Sequence, residues 1–292
     1  MLESLAREFL DDLELSGRSP HTVRAYRQSL NHLVRFVGGD TDPGEVDRRT
    51  IRRFLAYRRQ IGDAPGTLAT RYIAMGRFWS WLADEQEVPT NIVKEVKRPR
   101  EEIKPVALLS EDQLKALLRV EGKTPFLTIR NKTIIMVLID TGIRVGELCS
   151  LRVTDVDFDV RLLTVRGKTG ERTVPFGKAC AAALRRFMRH RGRHPRAGSH
   201  WLFIGATNGI TASTVRKMFQ SYGEQVGIPG LHPHRFRHSF VHNLLTAGAT
   251  IVDVQRLGGW SDPSQLWYRY GLAGAGERAI ASHRKFSPGD RL

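Results

Sequence analysis

The first 95 residues repeat one pattern, in which a short amphipathic segment is bounded by a helix-capping or helix-ending signal. The second of these segments begins at Ser19-Pro20, with serine as N-cap and proline at the first helical position, and runs to Gly38 with apolar residues every three or four positions. The other three segments are Leu2 to about Leu15, about Asp47 to Ile61, and Pro65 to about Ala83. Four helices in so short a stretch predict an all-α unit, which we assign to residues 1–95.

The remainder of the chain predicts a second, mixed domain. Residues 96–110 contain two prolines and alternating charge with little periodicity, so we assign residues 96–106 as a linker and 107–292 as the second domain. Strands are predicted at 160–166 and 171–175 around the turn Gly167-Lys168-Thr169-Gly170. The predicted helices of this part are 111–119, 130–141, 145–152, 177–191, 212–226, 234–247, 250–257 and about 263–270. The fold class expected is mainly α with a small β-sheet.

The charge of the chain indicates its partner. Its 46 Lys and Arg residues against 30 Asp and Glu residues give a net charge of +16. Residues 1–100 hold 17 basic and 14 acidic side chains, whereas residues 101–292 hold 29 and 16. Such an excess is typical of nucleic-acid binding and, less often, of an anionic membrane surface. No apolar run approaches the roughly 18–20 residues that span a bilayer, and the acidic amphipathic N-terminus is unlike a signal peptide, so nucleic acid is favoured.

The two cysteines, Cys149 and Cys180, are too few for a disulfide framework or a zinc cluster. Both are expected inside helices as small apolar side chains. The chain is therefore expected to work inside the cell, in a reducing compartment.

Arg144 follows a Thr-Gly-Ile turn at a predicted helix start, within the segment IDTGIRVGELCSLRVTDVD. A guanidinium there offers a two-pronged donor to a phosphate, and the free amides of the helix start add positive potential. The alternative for this motif alone is a solvated surface arginine.

A second segment, GLHPHRFRHSFVHNLL, crowds His232, His234, Arg237 and His238 at one helix start. His234 and Arg237 are three residues apart, so they share a helix face and can meet one ligand. The alternative is a metal site, which the lack of an H-E-x-x-H pattern and of nearby acidic or cysteine ligands disfavours.

A third segment, RLGGWSDPSQLWYRYG, places Trp260 shortly before Tyr268 and Tyr270. Aromatic residues at this spacing are, by themselves, more typical of core packing than of catalysis. The order of all three segments, with a lysine in the strand turn between the first two, resembles the tyrosine recombinases (phage integrases) over nearly the whole chain. Residues 1–95 resemble the core-DNA-binding domain of that family, and residues 107–292 resemble its catalytic domain.

The resemblance implies that the protein forms a C-shaped clamp on double-stranded DNA at core attachment-type sites. It also implies that a homotetramer exchanges strands through a Holliday junction. It implies a 3′-phosphotyrosine intermediate that conserves bond energy, so no cofactor and no metal are expected. An accessory DNA-bending protein is a further expected partner. Because the core-binding segment begins almost at Met1, we expect a Xer-like layout without the arm-binding domain of many phage integrases.

The resemblance also assigns roles to single residues. Arg144 and Arg237 would clamp the scissile phosphate, and Lys168 in the hairpin turn would protonate the leaving 5′ oxygen. His234 would be an acid/base group near the nucleophile. Trp260 stands where many members have histidine, and its indole N–H can donate a hydrogen bond but cannot transfer a proton.

The nucleophile departs from the family spacing by one residue. The usual interval of nine residues after Trp260 falls on Arg269, so the choice lies between Tyr270, whose Arg-Tyr-Gly context is more like the family, and Tyr268. We predict Tyr270, followed by a helical tail that packs on a neighbouring subunit.

Two other classes of protein fit part of the sequence. A non-catalytic DNA-binding regulator explains the charge and the helices but not the ordered Arg, Lys, His-x-x-Arg, Trp and Tyr set. A type IB topoisomerase shares the chemistry but relaxes supercoils as a monomer. The short helical first domain and the tail favour the recombinase.

Overall fold

A computed structural model describes residues 1–100, 107–167, 170–205, 208–262, 264, 266, 270, 275–287 and 289–291. The chain divides into two compact units, Met1–Lys104 and Pro105–Leu292. Within the described ranges no helix combines the length and the apolar character that crossing a membrane requires.

The first unit is all-α, with helices at the positions that the sequence predicts. They are α1 (Leu2–Leu15), α2 (Pro20–Val37), α3 (Arg48–Gln60) and α4 (Pro65–Asp84). The Ser19 side chain accepts a hydrogen bond from the Thr22 backbone N–H (3.2 Å) at the start of α2, and Asp47 caps α3 in the same way. The apolar faces of these helices meet in one core, whose largest fully buried side chains are Phe54, Phe78 and Trp79.

The second unit packs helices around a small sheet. Its helices are α5 (Glu111–Arg119), α6 (Pro125–Thr141), α7 (Val145–Cys149), α8 (Lys178–Arg191), α9 (Ala212–Gln225), α10 (Pro233–Thr246), α11 (Ile251–Gly258) and α12 (Ala275–Phe286). The strands β1 (Val156–Asp157), β2 (Leu162–Gly167) and β3 (Gly170–Pro175) form an antiparallel sheet in the order β1-β2-β3. The expected fold class, mainly α with a small sheet, is confirmed.

Three details differ from the sequence predictions. Helix α6 begins at Pro125 rather than at 130, because Thr124 accepts a hydrogen bond from the backbone N–H of Leu127 (3.2 Å) and Pro125 occupies the first turn. Helix α7 ends at Cys149 instead of 152, and the chain turns through a short 3₁₀ helix into β1, which was not predicted. The helix expected near 263–270 lies largely outside the described residues.

Candidate active site

Three arginine side chains from other elements bind the C-terminal end of helix α11. Gly259, in the left-handed conformation (φ +67°), stops the helix and leaves its last carbonyl groups without partners inside the helix. The guanidinium groups donate to three consecutive carbonyl oxygens: Arg172 Nε to Leu257 (3.0 Å), Arg237 Nη2 to Gly258 (2.8 Å) and Arg144 Nη2 to Gly259 (2.9 Å). The partial negative charge of a helix C-terminus thus gathers cations from β3, from α10 and from the start of α7.

Buried Glu147 fixes two of these arginines. Its carboxylate accepts two hydrogen bonds from Arg172 (2.8 and 3.0 Å), one from Arg144 Nη1 (3.1 Å) and one from the Arg144 backbone N–H (2.7 Å). Only 3% of its side chain is exposed. This burial acts to raise the pKa of Glu147, but the hydrogen bonds from Arg172 and from the Arg144 backbone outweigh it and lower the pKa. One carboxylate against three arginines leaves the cluster net positive.

Arg237 is held almost completely out of solvent, with 4% of its surface exposed. Its Nη1 donates to the carbonyl oxygen of Gly142 (2.6 Å), and the Trp260 ring centroid lies 3.6 Å from its guanidinium carbon. Burial, followed by the charge of Arg144, lowers the pKa of Arg237 to about 9, so the side chain still carries its charge at neutral pH. The Trp260 indole, which the resemblance suggested as a hydrogen-bond donor, stacks on this arginine in the structure.

Two histidines lie one helical turn apart on α10. His234 lies in the first turn of the helix and is exposed, and its ring centroid is 6.2 Å from that of His238. Partial desolvation lowers the pKa of His234, and the positive charges of Arg237, His232 and Arg144 lower it further. His234 therefore presents a mainly neutral ring at neutral pH, beside the arginine cluster.

Tyr270 points its hydroxyl group at the second histidine. Only 4% of Tyr270 is exposed, and its ring belongs to a small apolar cluster with Phe240, Val254 and Leu266. The hydroxyl hydrogen-bonds Nδ1 of His238, and the two ring centroids are 5.7 Å apart. Tyr270 also acts electrostatically on Arg237, so the hydroxyl group lies within range of the arginine cluster.

The structure thus brings five of the residues singled out from the sequence to one place, namely Arg144, His234, Arg237, Trp260 and Tyr270. Lys168 and Tyr268 lie outside the described residues. The strands that flank the Lys168 turn are described, and Gly167 pairs with Gly170 across it.

Three residues of the site were not predicted. Glu147 had a local signal, because it stands three positions after a helix-starting residue, where a carboxylate closes a capping box. His238 stood inside a motif that was singled out, but its partner is 32 residues away. Arg172 had no local signal, since its contacts are made to residues 25 and 85 positions away. Among the described residues, no three His, Cys, Asp or Glu side chains converge as a metal site needs.

Comparison with known proteins agrees with this geometry. The phage integrase family matches residues 107–272, and the phage integrase N-terminal SAM-like domain matches residues 6–86. Tyrosine recombinase XerC of Xanthomonas campestris pv. campestris is 31% identical over 265 residues, which cover 89% of this chain and 81% of that protein. Tyrosine recombinase XerD of Listeria monocytogenes is 29% identical over 274 residues, 90% of this chain and 92% of that one.

Two solved structures share the fold at lower identity. The Tn1549 transposon integrase in complex with a circular intermediate DNA has a TM-score of 0.81 at 18% identity, covering 96% of this chain and 98% of that one. A lambda integrase dimer bound to a COC′ core site has a TM-score of 0.73 at 16% identity, covering 90% and 75%. On the family match and the identity to XerC, this chain belongs to the phage integrase family and is a tyrosine recombinase.

Proposed function

We propose that this recombinase binds double-stranded DNA at core attachment-type sites and cuts it with Tyr270, which becomes joined to the 3′ phosphate. The freed 5′ hydroxyl of a partner strand then attacks the phosphotyrosine, and two rounds of exchange pass through a Holliday junction. No cofactor is needed, because the phosphotyrosine diester keeps the energy of the broken bond.

The observation that carries this proposal is the arginine cluster at the end of α11, next to a tyrosine hydroxyl. Three arginines and one glutamate give the cluster two net positive charges. The scissile phosphate carries one negative charge, and a second develops when the phosphorus becomes pentacoordinate. A fixed site of this charge, held before DNA arrives, stabilises the transition state more than the ground state.

The exposure of Arg144 and of His234 suggests how the phosphate enters the site. Arg144 has 37% of its side chain exposed, so it can meet a phosphate oxygen while Glu147 holds it from behind. Exposed His234 adds a donor or acceptor on the same side. Lys168 in the β2–β3 turn is proposed to protonate the 5′ oxygen as it leaves.

We further propose that the helical first unit binds the core site and that the working assembly is a homotetramer on DNA. Helix α12 is the segment proposed to pack on a neighbouring subunit, since Ile280 and Phe286 on it are more than half exposed. An accessory DNA-bending protein is the remaining proposed partner. The reaction is placed in the bacterial cytoplasm, where the DNA is.

Sequencing of covalently trapped DNA tests the proposal. The full chain is incubated with fragmented host and phage DNA carrying nicks that let the cut strand diffuse away, and protein-linked fragments are recovered under denaturing conditions. We expect one short sequence to be enriched, and Tyr270→Phe to recover nothing. A non-catalytic regulator would give no linked DNA with either protein. A type IB topoisomerase would give linked DNA without a common site and would relax plasmids that lack the enriched sequence.

A further inference from the structure

We propose that His238, and not His234, is the base that takes the proton from Tyr270 when the tyrosine attacks. This inference rests on the proposed function and names the proton acceptor within it. His238 Nδ1 is hydrogen-bonded to the Tyr270 hydroxyl, whereas His234 makes no hydrogen bond within the described part of the chain.

The fold gives the two histidines different surroundings. They are one helical turn apart on α10, so they share a face, but His234 is exposed at the helix start and His238 is half-buried one turn further in. Arg237, between them in sequence, reaches away to the carbonyl oxygens of Gly142 and Gly258. His234 thus lies at the exposed start of the helix, and His238 lies against the proposed nucleophile.

Tyr270 needs such a partner because the residue is only 4% exposed and its ring packs among apolar side chains. A buried hydroxyl without a hydrogen bond is destabilising, and a buried phenol cannot hand its proton directly to bulk water. His238 meets both needs, since a neutral imidazole is an acceptor at one nitrogen while it keeps a proton on the other. Because Nδ1 accepts in this arrangement, the ring proton is assigned to Nε2.

The proton and electron movements balance without any further reactant. As the Tyr270 oxygen bonds to phosphorus, its proton passes to His238 Nδ1. The bond from phosphorus to the 5′ oxygen breaks, and that oxygen receives a proton from Lys168. In rejoining, the 5′ hydroxyl returns its proton to the neutral Lys168 amine as it attacks the phosphotyrosine, and the His238 imidazolium returns its proton to the departing tyrosine oxygen. The positive charge of Arg237 stabilises the Tyr270 phenolate in both cleavage and rejoining.

Single-turnover cleavage of a nicked suicide substrate tests the inference in three variants. His238→Ala removes the ring, His238→Asn keeps a hydrogen-bond acceptor near the position of Nδ1 but cannot take the proton, and His242→Ala is the control. His242 lies one turn further along α10, is half-buried and makes no hydrogen bond with a described residue. We expect cleavage to fall by about 10²–10⁴-fold in both His238 variants, with DNA binding kept, and to stay near wild type in the control.

Two further measurements separate a base from a structural group. Added imidazole should partly restore cleavage by His238→Ala, which loss of packing alone would not allow. On DNA with sulfur in place of the bridging 5′ oxygen, Lys168→Ala should recover, because a thiolate leaves without a proton, whereas His238→Ala should stay slow.

Several outcomes would overturn the assignment. The first is cleavage at close to the wild-type rate by His238→Ala or by His238→Asn. The second is no response of His238→Ala to imidazole, and the third is recovery of His238→Ala on the sulfur-containing substrate. Each of these leaves the proposed function intact as long as Tyr270→Phe forms no adduct. Adducts that persist in Tyr270→Phe would instead remove the proposed nucleophile, whatever the His238 variants do.

Discussion

The two units of this chain provide different hydrogen-bond acceptors for their buried arginines. In the first unit, Arg58 and buried Arg71 both donate to Asp63 at the α3–α4 turn, with N–O distances of 2.9 and 2.6 Å. In the second unit, the buried arginines donate mainly to uncharged oxygen atoms. They are Arg130, Arg191, Arg235 and Arg237.

Arg191 shows the second pattern most fully. Its guanidinium donates to the backbone carbonyl oxygens of Ala197, Ser199, Trp201 and Leu202 and so fixes the loop after α8. Burial lowers the pKa of Arg191, while in the first unit the hydrogen bonds that Arg58 donates to Asp63 raise the pKa of Arg58. Carbonyl groups hold a guanidinium in place without cancelling its charge.

The difference affects the electrostatic field that these buried arginines produce. An arginine paired with a carboxylate contributes little to the field outside the protein, whereas one that is held by carbonyl groups keeps its full charge. Arg144, Arg172 and Arg237 combine both patterns, with one carboxylate shared among three cations. Fixed but incompletely neutralised arginines are what a phosphate-binding site needs.

The largest expected effect is the salt dependence of DNA binding. Each phosphate that a cation neutralises releases counterions, so the logarithm of the affinity should fall linearly with the logarithm of the salt concentration. If about six phosphates are contacted, affinity should drop roughly 10³-fold between 50 and 200 mM salt. Fluorescence anisotropy with Tyr270→Phe, which cannot trap DNA covalently, measures this. A flat dependence would contradict the proposal that the chain binds DNA by neutralising its phosphates.

The next effect compares two arginines of the cluster. Arg144→Ala and Arg237→Ala should each slow cleavage by about 10²–10³-fold, or some 3–4 kcal/mol at the transition state. Arg237→Ala should destabilise the fold more than Arg144→Ala, by about 1–3 kcal/mol for each buried carbonyl left without a donor, because Gly142 and Gly258 lose theirs. Arg144→Ala frees only the half-buried carbonyl of Gly259, and Glu147 keeps its hydrogen bonds from Arg172. Single-turnover cleavage and thermal unfolding measure the two effects. Arg256→Ala, an exposed change on α11, is the control, and equal melting temperatures for both cluster variants would argue against the distinction.

In the first unit, Asp63→Asn should destabilise α3 and α4 by about 3 kcal/mol at neutral pH, because Arg58 and Arg71 lose their carboxylate. The hydrogen bonds from Arg58, together with Arg71, hold the pKa of Asp63 well below its ordinary value of 3.8 despite partial burial. Its stabilising contribution is therefore complete above about pH 4 and is lost as the pH falls below that value toward the folded-state pKa.

Hydrogen exchange of the α3 and α4 amides in the full chain, referred to intrinsic rates, measures this contribution at each pH. The difference between wild type and Asp63→Asn should shrink as the pH drops below 4. A constant difference would mean that the carboxylate charge does not stabilise the first unit.

The last effect concerns the turn that supports Arg237. Gly142 has φ +60°, and a Cβ atom added there would lie 2.2 Å from the Phe240 ring. Gly142→Ala should therefore cost about 1 kcal/mol for the left-handed backbone and about 1–3 kcal/mol for the clash. Gly230→Ala is the matched control, since Gly230 has φ +63° and open space around it. Equal losses of unfolding free energy in the two variants would show that the contact with Phe240 is unimportant.

Local signals in the sequence predicted the helices better than they predicted the site. Ser19-Pro20 marks the start of α2, and Thr124-Pro125 is the same signal for α6, which we missed because α6 is buried on several sides and shows no single apolar stripe. Strand β1 has two residues, too few for any periodicity.

The site residues divide in a similar way. Arg144 and Arg237 stand in recognisable motifs, but the link between them runs through the carbonyl groups of Gly258 and Gly259, more than 100 residues after Arg144. Contacts of that kind arise from tertiary packing, so Arg172 could not be foreseen.

The most direct test of the whole account is peptide mapping of the covalent adduct. The full chain is trapped on a nicked substrate and digested, and the peptide joined to the 3′ phosphate is sequenced by mass spectrometry. We predict one modified residue, Tyr270, and no adduct from Tyr270→Phe. Attachment at Tyr268 would contradict the assignment of the nucleophile and of His238 with it, and adducts that persist when both tyrosines are phenylalanine would contradict the tyrosine mechanism itself.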